Sequence, residues 1–345
     1  MPDLRQLTAT VQQNCHISDA NFARHYTLCV FLLKMREYYR WEKGIPLSQP
    51  LPKEALGAWL TAREQAWDRL DSASFAPLRL AGQEFDPFEN QAINQHLIPA
   101  GYVYSGGYGL FHKPCFFLGR LVRQQTQHGI NLLVSSQEYA RDLMAPPAML
   151  LGDTIFIRQE SLRRFIWEKI EEWRLKNDPN TPMARALSCY EQQDTETTLD
   201  LMTANEIESV ALHETGEALA RQQLGPEWEE LLASLPRSRA EWLVRAVRDH
   251  LADCLSTLPA LVESLNTAAL HFYFANFSGM RKEIYPEALA AYQHWVDTGS
   301  LELLKQTYLT GQGQWHGIAL EILKLYRQGV APLDKAIEQR YAPSI

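Results

Sequence analysis

The chain has 345 residues, 46% hydrophobic and 21% charged, with a formal net charge of −8. That is enough apolar material for a substantial core, and the charge content is ordinary for a globular chain. An acidic balance with no dense Lys/Arg face fits a phosphate-backbone binder poorly, so no nucleic-acid partner is indicated.

The cysteines Cys15, Cys29, Cys115, Cys189 and Cys254 form no CxxC pair and are widely spaced. That argues against a disulfide framework and a thiolate zinc site, and it fits a reducing cytoplasm. The opening MPDLRQLTATVQQN lacks the apolar core of a signal peptide, and LCVFLL at 28–33 is too short to span a bilayer. The expectation is a cytoplasmic chain with no membrane partner.

Residues 15–44 carry a helix signal. Ser18 or Asp19 would cap it, Gly44 and Pro46 would end it, and Phe22, Tyr26, Cys29, Val30 and Leu33 give its apolar face. His16 and Asp19 flank this cap, and a capping or turn interaction is favoured over a metal role. A second helix spans 53–70, with Leu56, Trp59, Leu60, Ala66 and Trp67 inward. The stretch 71–100 reads as irregular. The character changes at Gly101, where GYVYSGGYG, KPCFFLGRLVRQQ, GINLLVSS and DTIFIR read as strands. They predict a small, mostly antiparallel sheet within about 101–158, with a hairpin turn at Gly106-Gly107 and a short helix over 137–144.

A long amphipathic helix follows at 160–176, then a polar loop at 177–200 with room for one short helix. From Thr203 the chain reads as helical, over 203–223, 226–235, 238–256, 259–277, 284–297, 300–310, 315–328 and 332–341. Gly and Pro residues punctuate these segments. The fold class is therefore α+β, predominantly α-helical, with the small sheet packed against a large helical C-terminal part. One domain over 1–345 is expected, with sub-regions of N-terminal helices (1–100), sheet plus backing helix (101–176) and a helical part (203–345).

The chemistry gathers on NEIESVALHETGEALARQQL at 205–224. On a helix Glu206, Val210, His213 and Glu217 fall within about 60° of one another. Glu214 sits beside that stripe. Two carboxylates and an imidazole on a largely apolar helix need a partner, because a buried charge is costly unless it is paired or ligates a metal. A divalent cation is the obvious candidate.

His213-Glu214-Thr215-Gly216-Glu217 is HETGE, which resembles the HExxH motif of zincin metallopeptidases. The resemblance implies His213 as a zinc ligand and Glu214 as the general base on a metal-bound water. Glu217 departs from the pattern, standing where the second histidine belongs, but it has the same reach and carboxylate is an acceptable ligand. The order strands, helix, motif helix also resembles that family. A later helix, RAVRDHLADCLSTL, offers Asp249, His250 and Asp253. The implied ligand set is His213, Glu217 and His250. Asp253 would orient one histidine through its other ring nitrogen, and Asp249 and Glu206 would stand by as additional ligands or supporting groups. The implied function is metal-dependent hydrolysis of a small-molecule or peptide substrate.

Two other readings stand beside it. The same residues could supply a binuclear iron or manganese oxidoreductase site, although no ExxH pair occurs. Alternatively the chain is a helical scaffold: Glu206 complements a helix dipole, Glu214 and Glu217 pair with Arg245 or Arg248, and His213 is a core histidine. Cys254, His271 and His294 read as packing or surface residues. The opening HYTLCVFLLKMREYYRWE resembles an uncharacterised bacterial family to which no activity attaches.

Overall fold

Asp3 accepts from the amides of Arg5 and Gln6, so the first helix, α1 (Leu4–Phe22), begins well before residue 15. The structure is a computed structural model that describes residues 3–109, 113–127, 129–190 and 193–342. Asp19 is not a cap. It lies inside α1, buried, with its carboxylate 2.7 Å from Lys113 Nζ and accepting the Leu143 amide. Ser18 also faces inward, donating to the Pro114 carbonyl. A 3-10 turn at 23–25 separates α1 from α2 (Leu28–Lys43), which ends on Gly44 at φ 62°.

The chain, read above as one domain, divides into two compact units: residues 1–169 with 194–203, and residues 170–193 with 204–345. In the first unit α3 (Lys53–Asp68) is followed by β1 (Leu78–Leu80) and β2 (Gln83–Phe85), an antiparallel hairpin inside the stretch expected to be irregular. Its turn residues, Ala81 and Gly82, both have positive φ (50° and 79°), as a tight hairpin with the right twist requires. After α4 (Asn90–Leu97) come β3 (Tyr102–Tyr108), β4 (Pro114–Gln127), β5 (Ile130–Arg141), β6 (Ala148–Leu151) and β7 (Thr154–Arg158). The sheet order is β3-β4-β5-β7-β6, antiparallel except for β5 with β7.

Two details of the sheet correct the sequence reading. Gly106 and Gly107 are not a turn; they sit inside β3, paired with Phe116 and Cys115. A Cβ at Gly106 would collide with the Pro87 carbonyl, and one at Gly107 would lie 2.7 Å from Leu151. Close approach, not turn geometry, demands these glycines. The helix expected over 137–144 is absent: β5 continues to Arg141, which pairs with Phe117 across a bulged ladder. Leu7, Val11 and Cys15 of α1 cluster with Phe116, Leu118 and Ala140 of the sheet.

The first unit also contains the start of α5 (Gln159–Lys176). The second unit contains α6 (Pro182–Ser188), most of α7 (Thr195–Leu224), α8 (Glu227–Ser234), α9 (Arg239–Ala252), α10 (Leu258–Glu263), α11 (Thr267–Ala275), α12 (Gly279–Ile284), α13 (Pro286–Thr298), α14 (Glu302–Arg327) and α15 (Leu333–Tyr341). Of the expected 177–200 loop, residues 191–192 lie outside the described residues, and α7 starts earlier than 203. α14 runs straight through Gly311 and Gly313, where a break was expected. A Cβ at Gly311 would lie 2.5 Å from Tyr285 Oη and 2.7 Å from Cys254 Sγ, so that glycine serves packing. Trp228, Leu243, Val247, Leu258, Phe274 and Trp315 anchor one apolar core; each such side chain contributes about 1.5–3 kcal/mol through burial. Among the described residues no helix is long and apolar enough to cross a membrane.

Candidate functional site

The site is set by how closely α7 approaches the end of α9. A Cβ at Gly216 would collide with the Ala252 carbonyl, so the glycine of HETGE lets the two backbones touch. At that level α9 gives way to a π-turn over Asp253–Thr257, in which the Leu258 amide reaches back to the Asp253 carbonyl. Pro259 explains the widening. It lacks an N–H and its ring would clash with the carbonyl four residues earlier in a regular helix. The Cys254 carbonyl accepts instead from Gln312 Nε2 at 2.8 Å.

Asp253, at the head of the π-turn, is buried and receives several donors. Thr257 Oγ1 donates to Oδ1 at 3.0 Å, Tyr273 Oη donates to Oδ2 at 2.8 Å, and the Arg281 guanidinium pairs with Oδ2. His213 Nδ1 lies 2.8 Å from Asp253 Oδ1. Burial alone would raise the Asp253 carboxyl, but Arg281 and His213 hold it well below the usual carboxylate range. For His213, burial opposes protonation, yet Asp253 and then Glu217 raise the imidazole well above its ordinary value.

The second nitrogen, His213 Nε2, lies 3.5 Å from Glu217 Oε1. One ligand atom each from His213, Glu217 and Asp249 fall within 4.8 Å of one another. Arg248 completes the cluster, with Nη2 2.8 Å from Glu217 Oε1 and 3.4 Å from Asp249 Oδ1. Burial pushes Glu217 up, but Arg248 and His213 bring it down to about 2. Glu214 lies within electrostatic reach of Glu217, His213, Arg248 and Asp249; burial and repulsion from Glu217 push it up to about 7. Asp249 is raised as well, by burial, despite Arg248. The cluster holds four carboxylates, Glu214, Glu217, Asp249 and Asp253, beside Arg248, Arg281 and the His213 imidazole. Burial holds Glu214 and Asp249 above their ordinary values, and an added cation would bring them down.

Not every residue singled out in the sequence arrives here. His250 does not join His213 and Glu217, which corrects the expected ligand set. Its Nε2 donates to the Arg281 carbonyl at 3.0 Å, and its ring packs among Phe277, Tyr285 and Trp315. Burial, and then Arg281, lower it to about 3, so it is a neutral core histidine. Asp249, its neighbour, faces the cluster instead. Glu206 is two turns away, buried, with Asn205 Nδ2 at 3.4 Å; burial pushes its carboxyl up to about 8. Arg245 pairs with Glu241, so Arg248 alone of the two arginines considered reaches Glu217. His271 stacks on Trp295, and Cys254 is buried with its thiol pushed up to about 12. His16 contacts Arg63 rather than Asp19.

Tyr273 and Arg281 were not legible as site residues. They come from α11 and α12, and no spacing in ALHFYFANFSGMRKE ties them to α9. The donor set, one imidazole and two carboxylates with a carboxylate behind the imidazole, fits a borderline or hard divalent cation.

No curated protein and no solved structure matches the chain. Residues 6–158 match the N-terminal domain, and residues 163–344 the C-terminal domain, of a family of unknown function, DUF6866. Since the C-terminal match alone covers just over half of the sequence, the chain belongs to the DUF6866 family.

Proposed function

We propose that the second unit is a metal-dependent hydrolase whose ion is held by His213 Nε2, Glu217 and Asp249. The reading is carried by the 2.8 Å contact of His213 Nδ1 with Asp253. It leaves Nε2, 3.5 Å from Glu217 Oε1, as the ring atom open to a metal, the arrangement that metal-binding histidines use. A bound divalent ion would supply Lewis acidity and an activated water. Glu214, one residue along the helix from His213, would serve as the base that accepts the water's proton, as the resemblance of HETGE to HExxH suggests. Zinc suits one imidazole with carboxylates, and iron or manganese suits the same set. Three converging ligand atoms favour one ion over a binuclear oxidoreductase site. The substrate class is a small molecule or a peptide, and the unpaired cysteines suit a reducing cytoplasm.

One observation favours a second reading. Arg248 lies 2.8 Å from Glu217 and already supplies a cation, as in a closed ion-pair network of a non-catalytic helical scaffold. Calorimetric titration of tag-free, chelator-treated protein with zinc, manganese and iron(II) separates the two. The metal reading expects one ion per chain, binding abolished by His213→Ala and Asp249→Asn, and binding retained in His250→Phe. Absence of stoichiometric binding for all three metals leaves the scaffold reading. Hydrolysis of a peptide and ester panel by the loaded protein, lost in Glu214→Gln, tests the catalytic step.

A further inference from the structure

In the first unit three cations gather where α2, the end of β5 and α5 carry Lys34, Arg141 and Arg164. Arg141 is 1% exposed, and its Nε and Nη2 find no acceptor among the described residues. The Glu138 Oε2 atom is 4.0 Å from its Nε, too far for a hydrogen bond. Its Cζ lies over the Tyr38 and Trp41 rings, 5.8 and 5.3 Å from their centroids. Those contacts leave the Nε and Nη2 donors unmet. Arg164 donates from Nη2 to the Ala145 carbonyl at 2.8 Å and has Nη1 3.4 Å from Glu168, but its buried Nε also lacks an acceptor. Lys34 Nζ lies 5.4 Å from the Tyr26 ring centroid and makes no hydrogen bond or ion pair among the described residues. The Tyr26 hydroxyl is itself buried and unpartnered.

The surrounding carboxylates have partners of their own. Glu138 is taken by Arg158 and Ser161, Asp142 by the amides of Phe116 and Ala145, and Asp19 by Lys113, while Glu168, on the exposed side, pairs with Arg164 and offsets part of the charge of Lys34. Burial, followed by repulsion from Arg164, brings Lys34 down to about 8 and Arg141 to about 10. Buried donors and charges without partners are costly, and here several point to the same missing chemistry.

We infer that Arg141, Arg164 and Lys34 form a site for a phosphate-type oxyanion, either free phosphate or the phosphoryl group of a small molecule. The Nε/Nη2 fork of Arg141 matches two oxygens of one anion. The donors on Arg164 and Lys34 call for further oxygens, which a tetrahedral dianion supplies and a carboxylate does not. The inference is independent of the metal reading, which concerns the second unit.

Full-length protein in chloride buffer, titrated calorimetrically with inorganic phosphate, phenyl phosphate and acetate at constant ionic strength, tests it. Saturable binding of one phosphate or phenyl phosphate is expected, with acetate at least tenfold weaker. Lys34→Met and Arg164→Met should each weaken binding at least tenfold, and Lys34→Met, which strands no acceptor, should unfold at no lower temperature than wild type in the anion-free buffer. Tighter phenyl phosphate supports a small-molecule phosphoryl group as the occupant, and tighter inorganic phosphate supports the free ion. The inference is overturned by no saturable binding of either phosphate, by acetate binding equally well, or by unchanged affinity in a folded Lys34→Met variant.

Discussion

His213 Nδ1 sits 2.8 Å from a carboxylate, Asp253, that is itself held by Thr257, Tyr273 and Arg281. The imidazole is therefore fixed by a group that has little freedom of its own. An amide in place of this carboxylate would loosen the ring and lower its basicity. Asp253→Asn should weaken metal binding about 10- to 100-fold, read by calorimetric titration. Affinity equal to wild type would remove the main support for the metal site.

Arg248 provides a test of opposite sign for the two readings. If Glu217 ligates a metal, the guanidinium competes for it, and Arg248→Met should strengthen metal binding severalfold. If the cluster is only an ion-pair network, the same substitution yields no metal binding. Both partners are partly exposed, at 16% and 18%, so solvent screening limits the loss in metal-free stability to about 1–2 kcal/mol. Urea denaturation and metal titration of one variant measure both quantities.

The helix crossing at Gly216 makes a stability prediction. Gly216→Ala places a methyl against the Ala252 backbone and should cost about 1–3 kcal/mol or more as the helices separate. Gly313→Ala, inside α14 where the added carbon meets nothing within 4 Å, should instead gain about 0.5–1 kcal/mol. Urea midpoints of the two variants should move in opposite directions.

Acid stability should depend on Glu138. Burial pushes this carboxyl up, but Arg158 and Arg141, with hydrogen bonds from Arg158 and Ser161, hold it at about 2 against an ordinary 4.5. The folded value lies below the unfolded one, so the stabilisation is complete above about 4.5 and drains as pH falls towards 2. Glu138→Gln should flatten this part of the pH–stability curve. It should also cost about 3–5 kcal/mol at neutral pH by stranding buried arginines. Denaturation midpoints across that acid range provide the measurement.

Residues with a strong local signature were legible from sequence. The left-handed Gly44, the proline-started α13 and the strand DTIFIR all lie where pattern and turn chemistry put them. Misreadings came where a contact distant in sequence decided the matter. Asp19 has the chemistry of a cap, but Lys113 draws it inside. Gly106 and Gly311 have the chemistry of turns, but they make room for Pro87, Tyr285 and Cys254. In the site, helical phase alone placed His213 and Glu217 together on α7. It could not choose between Asp249 and His250 on α9, because these adjacent residues are separated only by how the helix is rotated against its neighbours. The apolar rings of Phe277, Tyr285 and Trp315 claim the imidazole, leaving the carboxylate to the polar side.

A π-turn contains one residue more than a regular helix needs, and at 253–257 that residue separates two rotational phases. Up to its first residue, Asp249 of α9 and Asp253 face the polar cluster; after it, α10 buries Leu258 and Leu261 in the apolar core. Wound as a regular helix over the same residues, 253–257 would carry α10 about 100° further round relative to α9. No one orientation of that regular rod could then serve both faces. The extra residue works as a fixed coupling angle, allowing one continuous stretch of helix to meet two chemically opposite neighbours.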